Sequence, residues 1–130
     1  MANMVVIEDE PDISMLVEAT LTFGGHKVHV AANGRGGLDL IGRHRPELVL
    51  LDVQMPDMSG YDVLQLVKNN PELSHIPVFL FSAKNRPEDI RRGMDLGASG
   101  FLFKPFDPKE LLEQVGEILE QRSCCGNQRH

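Results

Sequence analysis

The side chains best suited to chemistry in this chain are Glu8, Asp9, Asp52, Ser82 and Lys104, and each follows a short apolar run. Met4-Val5-Val6-Ile7 leads into Glu8-Asp9, and Leu48-Val49-Leu50-Leu51 into Asp52. Val78-Phe79-Leu80-Phe81 leads into Ser82, and Phe101-Leu102-Phe103 into Lys104. Unbroken apolar runs of this length read as strands buried on both faces, so the first polar residue emerges at a strand's carboxyl end. In an open α/β sheet, the crevice beyond those ends is where ligands and chemistry sit. Carboxylates converging there repel one another: at about 4 Å and an effective dielectric near 20, each like-charge pair costs on the order of 4 kcal/mol. Relief comes from protonation, a cation or a neighbouring ammonium. An all-oxygen site of high charge suits Mg²⁺ (or Mn²⁺), which keeps waters and accepts phosphate oxygens. Lys104 supplies a mobile point charge and Ser82 a hydroxyl donor. An aspartate can act as a nucleophile toward phosphorus, so the set fits phosphoryl transfer to Asp52 with a metal neutralising developing charge.

Taken singly, each residue also has a structural explanation. Glu8, Asp9 and Glu10 favour the N-terminus of a following helix by some tenths of a kcal/mol. Asp52 suits a loop that turns at Met55-Pro56-Asp57, Ser82 suits a backbone cap, and Lys104 suits the surface. Their joint placement at four strand ends is what singles them out.

The elements that must deliver them alternate five times between strand-like and helix-like patterns, the signature of βα units and a parallel sheet. Strands are expected near 3–8, 27–31, 47–52, 77–82 and 99–103, and helices near 11–23, 35–43, 59–69, 87–95 and 108–121. In the first helix Ile13, Leu16, Val17 and Leu21 recur at helical spacing, Pro11 suits the first turn, and Gly24-Gly25 ends it. Asp107 and Pro108 open the last helix, with Glu110 placed for a capping box, and Asn85-Arg86-Pro87-Glu88 repeats that start. Gly34, Gly36, Gly37 and Gly42 make the second helix the weakest by propensity. Right-handed crossovers stack the elements into a three-layer αβα sandwich, α/β in class. Sequence alone leaves the strand order open. In the flavodoxin-like order 2-1-3-4-5, strands one and three flank the switch point, which brings Glu8, Asp9 and Asp52 together.

The chain of 130 residues is long enough for one core, so residues 1–122 are expected to form a single domain and 123–130 a polar, disordered tail. Its longest apolar stretches fall far short of a membrane span, and no charged-then-apolar leader opens it, so a cytoplasmic location is expected. A net charge of −6, with no basic cluster beyond Arg91-Arg92, argues against direct binding of nucleic acid. Cys124 and Cys125 are adjacent in the tail and fit neither a disulfide framework nor a zinc site. His26, His29, His44, His75 and His130 show no ligand spacing and are expected at the surface. Gly34-Arg35-Gly36-Gly37 lacks a complete dinucleotide fingerprint.

At these residues the chain resembles the response-regulator receiver domains of two-component signalling, chemotaxis receivers included. Val6-Ile7-Glu8-Asp9-Glu10-Pro11 resembles the first acidic motif, and Leu51-Asp52-Val53-Gln54-Met55-Pro56-Asp57-Met58-Ser59-Gly60 the phosphoacceptor loop. Phe81-Ser82-Ala83 matches the switch hydroxyl, and Gly97-Ala98 with Lys104-Pro105-Phe106 the last motif, so the likeness covers roughly residues 3 to 121.

The resemblance implies a regulatory phosphoprotein, not an enzyme with a separate substrate, that catalyses only its own phosphorylation and dephosphorylation. Asp52 would be the phosphoacceptor, and Glu8 and Asp9 would hold Mg²⁺ with Asp52 and the backbone carbonyl of Gln54. Lys104 and Ser82 would grip the phosphoryl group. Gln54 and Lys84 lie where the family tunes phosphoryl lifetime. Phe101 occupies the aromatic switch position without the hydroxyl often found there. The implied partners are a histidine kinase or histidine phosphotransfer protein upstream and an effector protein or domain downstream, with a phosphorylation-dependent dimer left open. Switching would act on the face formed by helix four, strand five and helix five. The chain would serve alone or as a module of a larger regulator or hybrid kinase. Of two other classes, an aspartyl-phosphate phosphohydrolase would carry an acid where this chain has Gln54. A flavin- or nucleotide-binding sandwich would set the acid cluster against the ligand's phosphates.

Overall fold

The computed structural model describes residues 2–55, 57–83, 86–104 and 107–128, with 121–128 described as backbone alone. Strands β1 (Asn3–Ile7), β2 (Lys27–Ala31), β3 (Leu48–Asp52), β4 (Val78–Ser82) and β5 (Gly100–Phe103) alternate with helices α1 (Pro11–Phe23), α2 (Gly34–His44), α3 (Gly60–Asn69), α4 (Pro87–Asp95) and α5 (Pro108–Gln128). The strands form one parallel sheet in the order β2-β1-β3-β4-β5. The α/β class and the sandwich are as the sequence led one to expect, and the order, which the residue pattern left open, is the flavodoxin-like one that goes with the receiver resemblance.

Period-two alternation divides the strand side chains between two cores. Val5, Ile7, Val49, Leu51, Val78 and Leu80 face Ile41 of α2 and Val63, Leu64 and Val67 of α3. Met4, Val6, Leu48, Leu50, Phe81 and Leu102 face Val17 and Leu21 of α1 and Leu111 and Val115 of α5. The run Leu48 to Leu51 is wholly buried because β3 lies mid-sheet with helices on both sides. Each such side chain contributes about 1.5–3 kcal/mol, so the strand that ends in Asp52 is among the most firmly held.

Helix α2, weakest by propensity, is secured by contacts that compensate for its glycines. Asn33 caps it by accepting from the Gly36 N–H at 2.7 Å. Gly37 lets the helix settle onto β1, for a Cβ there would lie 2.2 Å from Ile7 Cδ1. Helix α3 starts from a capping box in which Ser59 and Asp62 exchange hydrogen bonds. The N-cap of α4 is Arg86, which makes no side-chain cap, although Pro87 takes the first turn as expected. Helix α5 continues past the expected end near 121 to Gln128, into the segment read as a tail. Arg122, Gln121 and the preceding Glu-rich turns are good helix formers, and no proline stops them.

Candidate functional site

Strand register assembles the site. Ile7 pairs with Leu51, so Glu8 and Asp52 are the next residues on adjacent strands. Asp52 pairs with Phe81, which places Ser82 one step further along β4, and Ser82 pairs with Phe103, which places Lys104 one step beyond β5. The Lys104 N–H donates to the Ser82 carbonyl at 2.9 Å and extends that ladder to the lysine. All five candidate residues therefore lie at the carboxyl edge of the sheet.

Carboxylate oxygens of Glu8, Asp9 and Asp52 lie within 4.8 Å of one another. Glu8 is 1% exposed and Asp52 5%, while Asp9 is the most open of the three. The Lys104 ammonium sits 2.6 Å from Glu8 Oε1 and 3.5 Å from Asp52 Oδ1. Two backbone amides also serve the acids: Glu10 N–H donates to Glu8 Oε2 at 3.1 Å, and Gln54 N–H to Asp52 Oδ1 at 3.3 Å.

One ammonium facing three carboxylates leaves net negative charge in a buried place, and proton affinities respond. Burial, then the adjacent Glu8 carboxyl, pushes Asp52 up to about 7, against the opposing pull of Lys104 and the Gln54 N–H. Burial works against the charged form of Lys104, but Glu8 and Asp52 outweigh it and hold the ammonium above its ordinary range. Glu8 Oε1 is fully buried and, among the described residues, meets no donor in hydrogen-bonding geometry, so its short contact to Lys104 is foremost an ion pair. An under-satisfied buried oxygen beside two further carboxylates fits a hard divalent cation such as Mg²⁺.

Ser82 is buried at the end of β4. Phe101 lies half-buried opposite Leu80, packs on the core beneath α4 and stacks on Phe103 with ring centroids 5.9 Å apart. The ring has room because α4 presents Gly93, where a Cβ would come within 2.6 Å of both Phe101 Cζ and Leu80 Cδ1. Gln54 is exposed on the loop after β3. Lys84 lies outside the described residues, as do Pro56, Asn85, Pro105, Phe106 and His130.

Other features had no clear signal in the sequence. Gly60 lies against the strand that ends in Asp52: its N–H donates to the Val53 carbonyl at 2.7 Å, and a Cβ would lie 2.2 Å from the Asp52 carbonyl oxygen. Asp57 bonds the amides of Gly34 and Arg35. Arg92 of α4 lies 4.3 Å over the Tyr61 ring of α3. His26, His29 and His44 are partly exposed and His75 exposed, as expected of surface residues, and His29 and His44 stack at 3.7 Å. They flank the amino-terminal edge of the sheet, away from the acids: His29 pairs with Val5 and Asn3 bonds its ring.

Among the described residues, no helix is long and apolar enough to cross a membrane. Comparison with known proteins bears on the same arrangement. The chain is similar to the Vibrio cholerae chemotaxis protein CheY4, at 31% identity and a TM-score of 0.86, over 90% of this chain and 98% of that one. It is also similar to the signal receiver domain of a signal transduction histidine kinase from Syntrophus aciditrophicus, at 30% identity and a TM-score of 0.83, over 93% and 92% of the two chains. The DNA-binding dual master transcriptional regulator RpaA of Synechocystis is 34% identical over 121 residues, 93% of this chain and 50% of that protein. A probable cyclic di-GMP phosphodiesterase of Vibrio cholerae is 33% identical over 121 residues, 92% of this chain and 27% of that protein. The chain thus spans between about a quarter and a little over half of such curated relatives. The family model for the response regulator receiver domain matches residues 4–116, and the chain belongs to that family of two-component signalling domains.

Proposed function

We propose that this receiver domain takes a phosphoryl group on Asp52 from a histidine kinase or histidine phosphotransfer protein and passes the change to an effector protein or domain. The observation that carries this reading is the placement of Asp52: buried, at the end of the central strand, with Glu8, Asp9 and Lys104 around its carboxylate. A carboxylate oxygen of Asp52 attacks phosphorus, forming an acyl phosphate as the bond to the donor's imidazole nitrogen breaks, and the imidazole leaves with its electron pair. Glu8, Asp9, Asp52 and the Gln54 carbonyl would hold Mg²⁺, which would supply positive charge against the phosphoryl oxygens.

The protein's own groups do the rest. Lys104, already 3.5 Å from Asp52, gives its ammonium to a phosphoryl oxygen, and Ser82 gives its hydroxyl to another. Drawing Ser82 inward opens space for Phe101 to turn beneath α4, so the face of α4, β5 and α5 reports the state. With no phenolic hydroxyl, Phe101 acts through packing alone. Gln54 and Lys84 modulate phosphoryl lifetime. Residues 1–122 make up the receiver unit, whether alone or as a module of a larger regulator or hybrid kinase, and a cytoplasmic site of action follows from such partners.

This is a regulatory cycle, not turnover of a separate substrate. The exposed Gln54 stands where a phosphohydrolase of the aspartyl-phosphate type carries its second acid. The test is intact mass after incubation with an acyl-phosphate donor. Wild type should gain one phosphoryl group only with Mg²⁺ present, and Asp52→Asn none; an equal gain in the mutant overturns the assignment.

A further inference from the structure

The loop between β3 and α3 carries Gln54, and its far side is fastened to a different helix. Asp57 Oδ1 accepts from the Gly34 N–H at 2.9 Å and Oδ2 from the Arg35 N–H at 3.1 Å. These are among the first amides of α2, which have no partner within the helix. Asn33 takes the next, that of Gly36. The helix's positive end favours a carboxylate here, and the Gly34 N–H above all holds Asp57 below the ordinary carboxylate range. Close packing accompanies the contact: a Cβ on Gly34 would lie 2.4 Å from Met58 Cγ and 2.7 Å from its Sδ, so a larger residue would have to push the Met58 side chain aside. At its other end the loop is closed by Gly60 against β3. Gln54 lies between the two fastenings, its N–H on Asp52 Oδ1.

We propose that Asp57 is a positioning residue for the metal site: by tying the loop to α2 it holds the Gln54 backbone against the acidic cluster. The proposal rests on the reading of Glu8, Asp9 and Asp52 as that site. Asp57 is not one of the converging carboxylates, and its own oxygens are committed to α2. A backbone carbonyl ligand has no rotamers of its own, so its place is the place of its loop. Groups that orient a ligand from behind commonly change metal affinity 10- to 100-fold.

The test is Mn²⁺ binding to the full chain, followed by loss of the free-ion paramagnetic resonance signal. It compares wild type, Asp57→Ala, Asp57→Asn, Asn33→Ala and Asp52→Asn. Asp57→Ala should weaken binding about tenfold. Asp57→Asn, whose amide oxygen still accepts one bond, should fall between that variant and wild type. Asn33→Ala removes a cap from the same helix but leaves the loop tied, and should bind as wild type does. The loss in Asp57→Ala should persist in about 0.5 M salt, where the direct field of an exposed charge is screened. Equal affinity in Asp57→Ala and wild type, or a loss abolished by salt, overturns the proposal. Equal affinity in wild type and Asp52→Asn would instead overturn the metal-site reading, and this inference with it. Should Asp57→Ala fail to fold, Asp57→Asn carries the test, with affinity equal to wild type as the overturning result.

Discussion

A buried carboxylate held near neutrality makes Asp52 costly to the fold when no cation is bound. Its proton affinity lies at about 7 against an ordinary 3.8, first through burial and then through Glu8. Between those values the folded chain holds a proton that the unfolded chain has released, so this group's contribution to stability falls as pH rises from about 4 to about 7. Asp52→Asn removes both the charge and the titration. In metal-free urea melts the mutant should be more stable than wild type by a few kcal/mol at about pH 8, with the gap closing toward pH 4. A gap constant across that range would mean that Asp52 is not shifted. Lys104, whose proton affinity is also raised, has linkage of the same sign but in another pH window. Its raised affinity contributes stability below its ordinary range and loses it only in strong alkali, so it leaves the neutral profile to Asp52.

Helix α2 separates intrinsic propensity from packing. Nothing lies within 4 Å of a Cβ at Gly42, whereas one at Gly37 would lie 2.2 Å from Ile7 Cδ1 and 2.6 Å from Cγ1. Gly42→Ala should stabilise by about 0.5–1 kcal/mol through helix propensity alone. Gly37→Ala gains the same propensity but must displace Ile7 from the core, and should destabilise by about 1–3 kcal/mol. Urea midpoints for the pair decide it: two stabilised variants would mean that Ile7 yields freely. Strand and helix identity was legible because buried runs and helical spacing are local signals. α1, β2 and α4 have the expected bounds, while α2 runs one residue further at each end. The register that joins Glu8 to Asp52 was not legible without a strand order, since nothing local in β1 states which strand lies beside it. Asp57 was legible as part of the turn but its tie to α2 was not, because its partners, Gly34 and Arg35, lie 23 and 22 residues away. The extra turns of α5 escaped because Ser123, Cys124 and Gly126 weigh against a helix individually, without a proline to end it.

At the scale of the molecule, the sheet places the acids at one edge, and Phe101 lies opposite Leu80 and against Gly93 of α4, so the proposed switch would have only a short route to travel. Lys104 and Ser82 share the end of that route through one backbone hydrogen bond. Lys104→Ala should stay folded and accept phosphate, yet lose the phosphorylation-dependent change in amide exchange across α4 and β5. Phe101→Ala should lose it too while keeping phosphotransfer. Unaltered switching in both would confine the lysine to charge balance and the ring to the core. The central claim, that phosphate lands on Asp52, is tested most directly by reducing the phosphorylated chain with borohydride, which converts an acyl-phosphorylated aspartate to homoserine. Peptide sequencing should then find homoserine at position 52 and nowhere else. Homoserine at another aspartate, with Asp52 intact, would contradict the account.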